Sequence, residues 1–296
     1  GRPGTRGATS ERTGHATIRR MTTLGTAPAE MPWTLIHRAP GPALRPHIRC
    51  LTAFQEWSGQ AVLRQELPSA TIPMILVFGP GFTLHDSAEP DASWRPLARS
   101  FVAGLHERPA HVGSRGRSLC LQVDFTLPGA RRILGLPRGE ILGGGFDLHA
   151  LLGTAIDRLE ARLAEARGWE ARFGGVEAML LDRLDRAAGP HPLLPPTWAR
   201  LAGDPPRRGP AEALGCSRQH LVTLCRREFG LPPRTLRRLV RFERAMATLE
   251  RGEVISLADL AAVCGYVDQA HLTVAMSTKR ISTARCAASP TTRRGR

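Results

Sequence analysis

The sequence predicts an α+β protein: a β-rich N-terminal half, a helical segment, and an all-α C-terminal domain holding two helix-turn-helix units. Three observations lead there. Short apolar or alternating runs broken by Gly and Pro extend to about residue 128, apolar stripes at helical spacing follow, and a Gly-cornered helix pair recurs about fifty residues apart.

Taken in order, residues 1–30 are rich in Gly, Thr, Arg and Ala without periodicity and are expected to be a disordered tail, or upstream sequence from a misassigned start. Residues 31–128 form the β-rich domain. Its strands are read at Trp33–His37, Cys50–Trp57, Thr71–Phe78, Phe82–His85, Ser100–Leu105 and Leu119–Phe125, a spacing that argues for an antiparallel sandwich or barrel. Thr126-Leu-Pro-Gly129 ends the β half. Residues 129–189 read as a helical linker and dimerisation segment. Ala130–Gly135 is a short helix or turn, Ala155–Arg167 carries Ile156, Leu159 and Leu163 on one face, and Val176–Ala187 carries Met179, Leu180, Leu181 and Leu184. The last two are expected to pair antiparallel. Gly189–Pro196 then reads as a stiff linker.

The final domain spans residues 196–290. In its first unit Ala211–Leu214 ends one helix, Gly215 makes the corner, Ser217 is a natural N-cap, and Arg218–Phe229 is a second helix closed by Gly230. Leu221, Leu224 and Cys225 face a core; Arg218, Gln219, Val222, Thr223 and Arg226 form the opposite, polar stripe. A single such helix is commonly just a solvated surface helix. Here the pattern repeats: Leu257–Cys264 ends on Gly265, and Tyr266-Val-Asp-Gln-Ala-His-Leu-Thr273 opens the second reading helix. A reading helix must keep one apolar face for its domain and free the other for the major groove.

These residues resemble the DNA-binding domain of the AraC/XylS family of bacterial transcription regulators. The likeness is carried by Ala213-Leu-Gly-Cys-Ser217 with His220-Leu221, by Phe229-Gly-Leu-Pro-Pro233, by Leu257-Ala-Asp-Leu-Ala261 and by Gly265–Leu272. It implies double-stranded DNA as partner, read by Arg218, Gln219, His220, Val222, Thr223, Arg226 and Arg227 in the first unit and by Asp268, Gln269, His271 and Thr273 in the second. Arg237 and Arg241, on the solvated face of the helix from Pro233 to Glu250, are the candidates for phosphate contact. The β-then-α order, with Ser100–Leu105 and Gln122–Phe125, also resembles the sensor half of such regulators, often a cupin-like barrel followed by dimerising helices. The resemblance thus implies a possible small-molecule effector, a homodimer and contact with RNA polymerase.

The pattern departs from the family in two places. Pro205, Pro206 and Pro210 shorten the helix that would support the first unit. After Thr273 the expected aromatic, Gly and Pro are absent and Ile281–Arg296 has no apolar period, as though the reading frame had shifted. The second reading helix is accordingly expected to fray soon after Met276.

Charge agrees with a DNA partner. Of the net +15, residues 196–296 carry 18 Lys and Arg against 8 Asp and Glu, whereas residues 31–195 carry 18 against 16. Forty arginines to one lysine reflect a compositional bias, but bias does not explain the segregation. Six scattered cysteines without a C-x-x-C fit a reducing, cytoplasmic compartment, and no apolar run is long enough to span a membrane. No cofactor is expected. The chain lacks a His-x-His, a phosphate-binding loop, a nucleophile elbow and an H-E-x-x-H helix, and His85, His106, His111 and Asp86 read as ordinary polar residues. The sequence therefore favours a DNA-binding regulator, not an enzyme. The alternatives are a cupin-type enzyme with an accessory basic domain and a regulator relic with a frameshifted second unit.

Overall fold

Alternation along single strands sets the architecture of the N-terminal half. The computed structural model describes residues 9–13, 21–23, 33–86, 93–97, 99–136, 145–189, 191–203, 209–251 and 256–278. In chain order its strands are β1 (Thr9–Thr13), β2 (Met21–Thr23), β3 (Trp33–Arg38), β4 (Ile48–Trp57), β5 (Val62–Glu66), β6 (Thr71–Val77), β7 (Thr83–His85), β8 (Trp94–Pro96), β9 (Ser100–Ala103), β10 (Ala110–Ser114), β11 (Arg117–Thr126) and β12 (Gly145–Asp147). They form an antiparallel sheet in the order β1-β3-β4-β11-β6-β9-β12 and another in the order β2-β5-β10-β7-β8. In β11, Leu121, Val123 and Phe125 are buried on one face, and Cys120, Gln122 and Asp124 point to the other. The Leu121 face packs on helices. The Cys120 face is turned toward the smaller sheet, and there Leu35, Phe54, Ile75, Phe82, Phe101 and Cys120 form a smaller apolar cluster.

The helices are α1 (Leu127–Leu134), α2 (Leu148–Leu152), α3 (Thr154–Glu165), α4 (Gly168–Arg186), α5 (Leu194–Ala202), α6 (Pro210–Ala213), α7 (Arg218–Phe229), α8 (Pro233–Arg251), α9 (Leu257–Val263) and α10 (Gln269–Thr278). One core runs from the outer face of the larger sheet (Leu51, Met74, Leu121) through α1, α3 and α4 (Ile133, Ile156, Phe173) to α7 and α8 (Leu224, Phe229, Leu236, Leu239). Phe242, Ala245, Leu260, Ala261, Cys264, Tyr266 and Leu272 make a separate core, joined by Leu67 of the β half.

Several boundaries differ from the sequence reading, each for a local reason. Residues 9–13 and 21–23, placed in a tail, are edge strands on β3 and β5; an edge strand is held through its backbone and needs no apolar period. Thr126-Leu-Pro-Gly129 is the start of α1 as well as the end of β11: Thr126 caps Gly129 N–H through Oγ1 at 3.1 Å, and Pro128 sits in the first turn, where it forfeits no helical hydrogen bond. The same tolerance lets Pro195 and Pro196 open α5 inside the expected linker. Helix α4 starts at Gly168, well before the expected Val176, and packs on α3 across a two-residue connection.

Gly129 marks the tightest junction in this half, because a Cβ there would collide with the His47 backbone. His47 O also accepts Thr126 N–H at 2.9 Å, so β4, β11 and α1 meet at one point. Gly129→Ala is expected to cost about 1–3 kcal/mol as an overpacking strain, read as a lower denaturation midpoint at an unchanged slope.

Candidate DNA interface and the cavity behind it

The two helix-turn-helix corners are built by the same bonds, fifty residues apart. In the first, Cys216 N–H donates to Ala211 O at 3.0 Å and Gly215 N–H to Glu212 O at 3.1 Å; in the second, Tyr266 N–H donates to Ala261 O at 2.8 Å and Gly265 N–H to Ala262 O at 3.1 Å. Each closes a helix end on a left-handed residue, with Gly215 at φ 64° and Gly265 at φ 72°, conformations that a side chain would strain. The helix α6 that enters the first corner is a single turn opened by Pro210; Pro205 and Pro206 lie outside the described residues.

Ser217 caps α7 through its Oγ, accepting His220 N–H at 3.1 Å. From that start, Arg218, Gln219, His220, Thr223, Arg226 and Arg227 are exposed and Val222 is half-buried, while Leu221, Leu224, Cys225 and Phe229 are buried. The expected polar stripe is therefore one continuous surface. Arg227 is partly committed, since its Nε donates to Glu228 Oε1 at 2.8 Å. Glu228 is buried in the last turn and its other oxygen lies 3.1 Å from Arg131 Nε on α1.

On the second unit Asp268, Gln269 and His271 are exposed and Thr273 is half-buried. Asp268 is tied into the helix start: its Oδ1 accepts His271 N–H at 2.8 Å and lies 3.1 Å from His271 Nδ1. Those bonds, the backbone one foremost, hold the Asp268 carboxyl below the usual carboxylate range. Helix α10 continues to Thr278, beyond the point where the sequence pattern departs; the altered tail from residue 279 lies outside the described residues.

Arg237 and Arg241 are both half-buried on α8. The Arg241 guanidinium donates to Gly265 O at 3.0 Å and stacks on the Tyr266 ring at 5.1 Å, bracing the second corner. Arg241 and Tyr266 are too far apart in sequence for helical periodicity to reveal the pairing.

Behind the DNA module lies a cavity of about 510 Å³ that sequence reading did not find. Its walls are the inward faces of both sheets, including Phe54, Ile75, Phe101, Thr52, Gln122 and Asp124, and α8 closes it with Val240, Glu243, Arg244, Met246 and Ala247. Arg49 of β4 reaches Glu243 at 2.8 Å on this rim, and Glu107 pairs with Arg238 of α8 nearby. A trace was present in the sequence: Cys50 and Thr52, Gln122 and Asp124 are polar at alternate positions of two central strands, where a packed sandwich would be apolar. Of the barrel histidines, His85 bonds Thr83 at 2.9 Å, His106 bonds Arg108 O at 2.5 Å, and His111 is buried beside Gln65. Among the described residues no three His, Cys, Asp or Glu side chains are grouped to hold a metal ion.

Arg241→Ala should loosen the second corner selectively. Amide hydrogen exchange is expected to speed up across residues 256–273 and to stay unchanged across 218–229; equal acceleration in both units would contradict the bracing role assigned to this side chain.

Comparison with known families agrees with this geometry. A family model described as a helix-turn-helix domain matches residues 211–280. No curated protein matches the chain. Among solved structures, ToxT from Vibrio cholerae is similar at 12% identity, covering 79% of this chain and 96% of that one with a TM-score of 0.43. A fatty-acid-bound form of ToxT is similar at 10% identity, covering 78% and 92% with a TM-score of 0.43. The cadmium-containing PhpD structure reaches 14% identity over 92% of this chain and 54% of that one, with a TM-score of 0.22. Residues 211–280, with their matched corners at Gly215 and Gly265, form a helix-turn-helix domain.

Proposed function

We propose that the protein is a sequence-specific DNA-binding transcription regulator whose β-rich half responds to a small molecule held in the cavity. The observation that carries this reading is the position of α8: one helix joins the two reading units and also closes the cavity. A ligand that fits differently with α8 in two positions would bias the arrangement of the reading helices, which is what a ligand-responsive regulator requires. The working parts are then the β-rich sensor, a helical segment from α1 to α4, and the reading module from α5 onward. The exposed Leu181 on α4 supports that helical segment as a surface for a second copy.

On DNA, α7 is the better-formed reader, with Gln219, Thr223 and Arg226 aimed outward and Val222 at the edge of the stripe. Helix α10 offers Gln269 and His271, and Asp268 serves chiefly to cap it. The basic module supplies sequence-independent attraction through phosphate neutralisation.

Selection of bound sequences from random duplexes with the whole chain tests the assignment. Gln219→Ala should relax preference at one base position by about 1–3 kcal/mol while leaving non-specific binding in place. Affinity should fall linearly with salt on a logarithmic plot. Binding that showed no sequence preference in the parent chain would remove the regulator reading.

A further inference from the structure

The strand register grades the cavity from apolar to polar along its length. At one end Leu35, Phe54 and Cys120 sit in adjacent register on β3, β4 and β11. One row nearer α8 come His37, Thr52 and Gln122, and beyond them Cys50 opposite Asp124. Four residues of strand separate Phe54 from Cys50, about 13 Å at the usual rise. The polar end is thus the end that α8 covers, with Arg49, Glu66, Glu243 and Arg244 on its rim.

The charges at this end are unequal. Among the described residues three carboxylates line it, Glu66, Asp124 and Glu243, against two guanidiniums, Arg49 and Arg244. Both guanidiniums are engaged by the protein itself: Arg49 is bound to Glu243 at 2.8 Å and Arg244 donates to Ala202 O at 2.9 Å. Asp124 accepts from Gln122 Nε2 at 2.9 Å, and a carboxylate offers about four lone-pair sites in all. Deeper in the wall, burial chiefly pushes the Cys120 thiol up to about 12; Arg64 opposes that push and the Glu56 and Glu66 carboxylates add to it.

We infer that the cavity selects a small amphiphile with an aliphatic or aromatic tail and an ammonium or similar hydrogen-bond-donating cationic head, the head lodging beside Asp124 and Glu66 under α8. The inference rests on the reading of this cavity as the effector site. An anionic head would meet a lining in which, among the described residues, carboxylates outnumber guanidiniums. A cationic head finds acceptors on β5 and β11, and its tail finds Phe54, Ile75 and Phe101. The head would also stand next to the Arg49–Glu243 pair, one of the links through which the β half holds α8.

Calorimetric titration of the full chain with n-octylammonium, n-octanol and n-octanoate at one ionic strength tests it. Octylammonium is expected to bind at least about tenfold more tightly than octanoate and more tightly than octanol, and Asp124→Asn should reduce the first ratio to about threefold or less. Ala103→Trp and, independently, Val112→Trp place an indole in the cavity and should abolish octylammonium binding. Octanoate binding as well as or better than octylammonium, or a ratio untouched by Asp124→Asn, overturns the head selectivity alone. Octylammonium bound in the cavity with no change in DNA affinity overturns the effector reading alone. Absence of binding by all three probes, or binding indifferent to both tryptophan variants, overturns both.

Discussion

Helix α8 ties the molecule together, because its buried residues are divided between two cores. Leu236, Leu239 and Val240 belong to the core that continues from the larger sheet through α7, whereas Phe242 and Ala245 belong to the core of the second unit. Each fully buried side chain the size of Leu or Phe contributes about 1.5–3 kcal/mol, so neither attachment is easily surrendered. Beside the second set, Glu243 holds Arg49 and faces the cavity. The helix is therefore a beam with a fixed end in each reading unit and a cavity-facing midpoint.

This division makes the two units unequal. The first is continuous with the N-terminal half through α1: Glu228 is bound by Arg131 of α1, and Phe229 packs on Trp198 of α5. The second is held on α8 by its own small core, which only Leu67 of the β half joins among the described residues, and by Arg241, which braces the corner at Gly265 and Tyr266. A change at the cavity roof would then alter the second unit relative to the first, with α7 staying in register with the β half. Breaking the Glu228 pair would be costly, since it would leave a buried carboxylate without its α1 partner.

What could be read from the sequence was what local chemistry determines. The corners, Ser217, Gly230 and the stripe on α7 are fixed by residues within a turn or two of one another, and all of them are where the sequence put them. Strands that read as an apolar run, such as β6, or as an alternation, such as β11, were likewise visible. Strand β5 was not, because Val62-Leu-Arg-Gln-Glu66 turns Arg64 inward, and only the remote Glu56 and Ser114 make that burial tolerable. The cavity was hidden for the same reason at larger scale: it exists only once register aligns Thr52 with Gln122 and α8 docks across the opening. Arg241 fell between these cases, a helical arginine whose partner is set by the packing of α8 on α9.

Transmission by α8 between the cavity rim and DNA can be measured as a double-mutant cycle on operator affinity. The variants are Arg49→Glu, Glu243→Arg and the combined charge swap, each measured as the full chain at one salt concentration. If the pair links the β half to the reading helices, both single changes shift affinity in the same direction and the swap restores most of it, a coupling of about 0.5 kcal/mol or more. Additive effects, with no coupling between the two positions, would contradict transmission through α8.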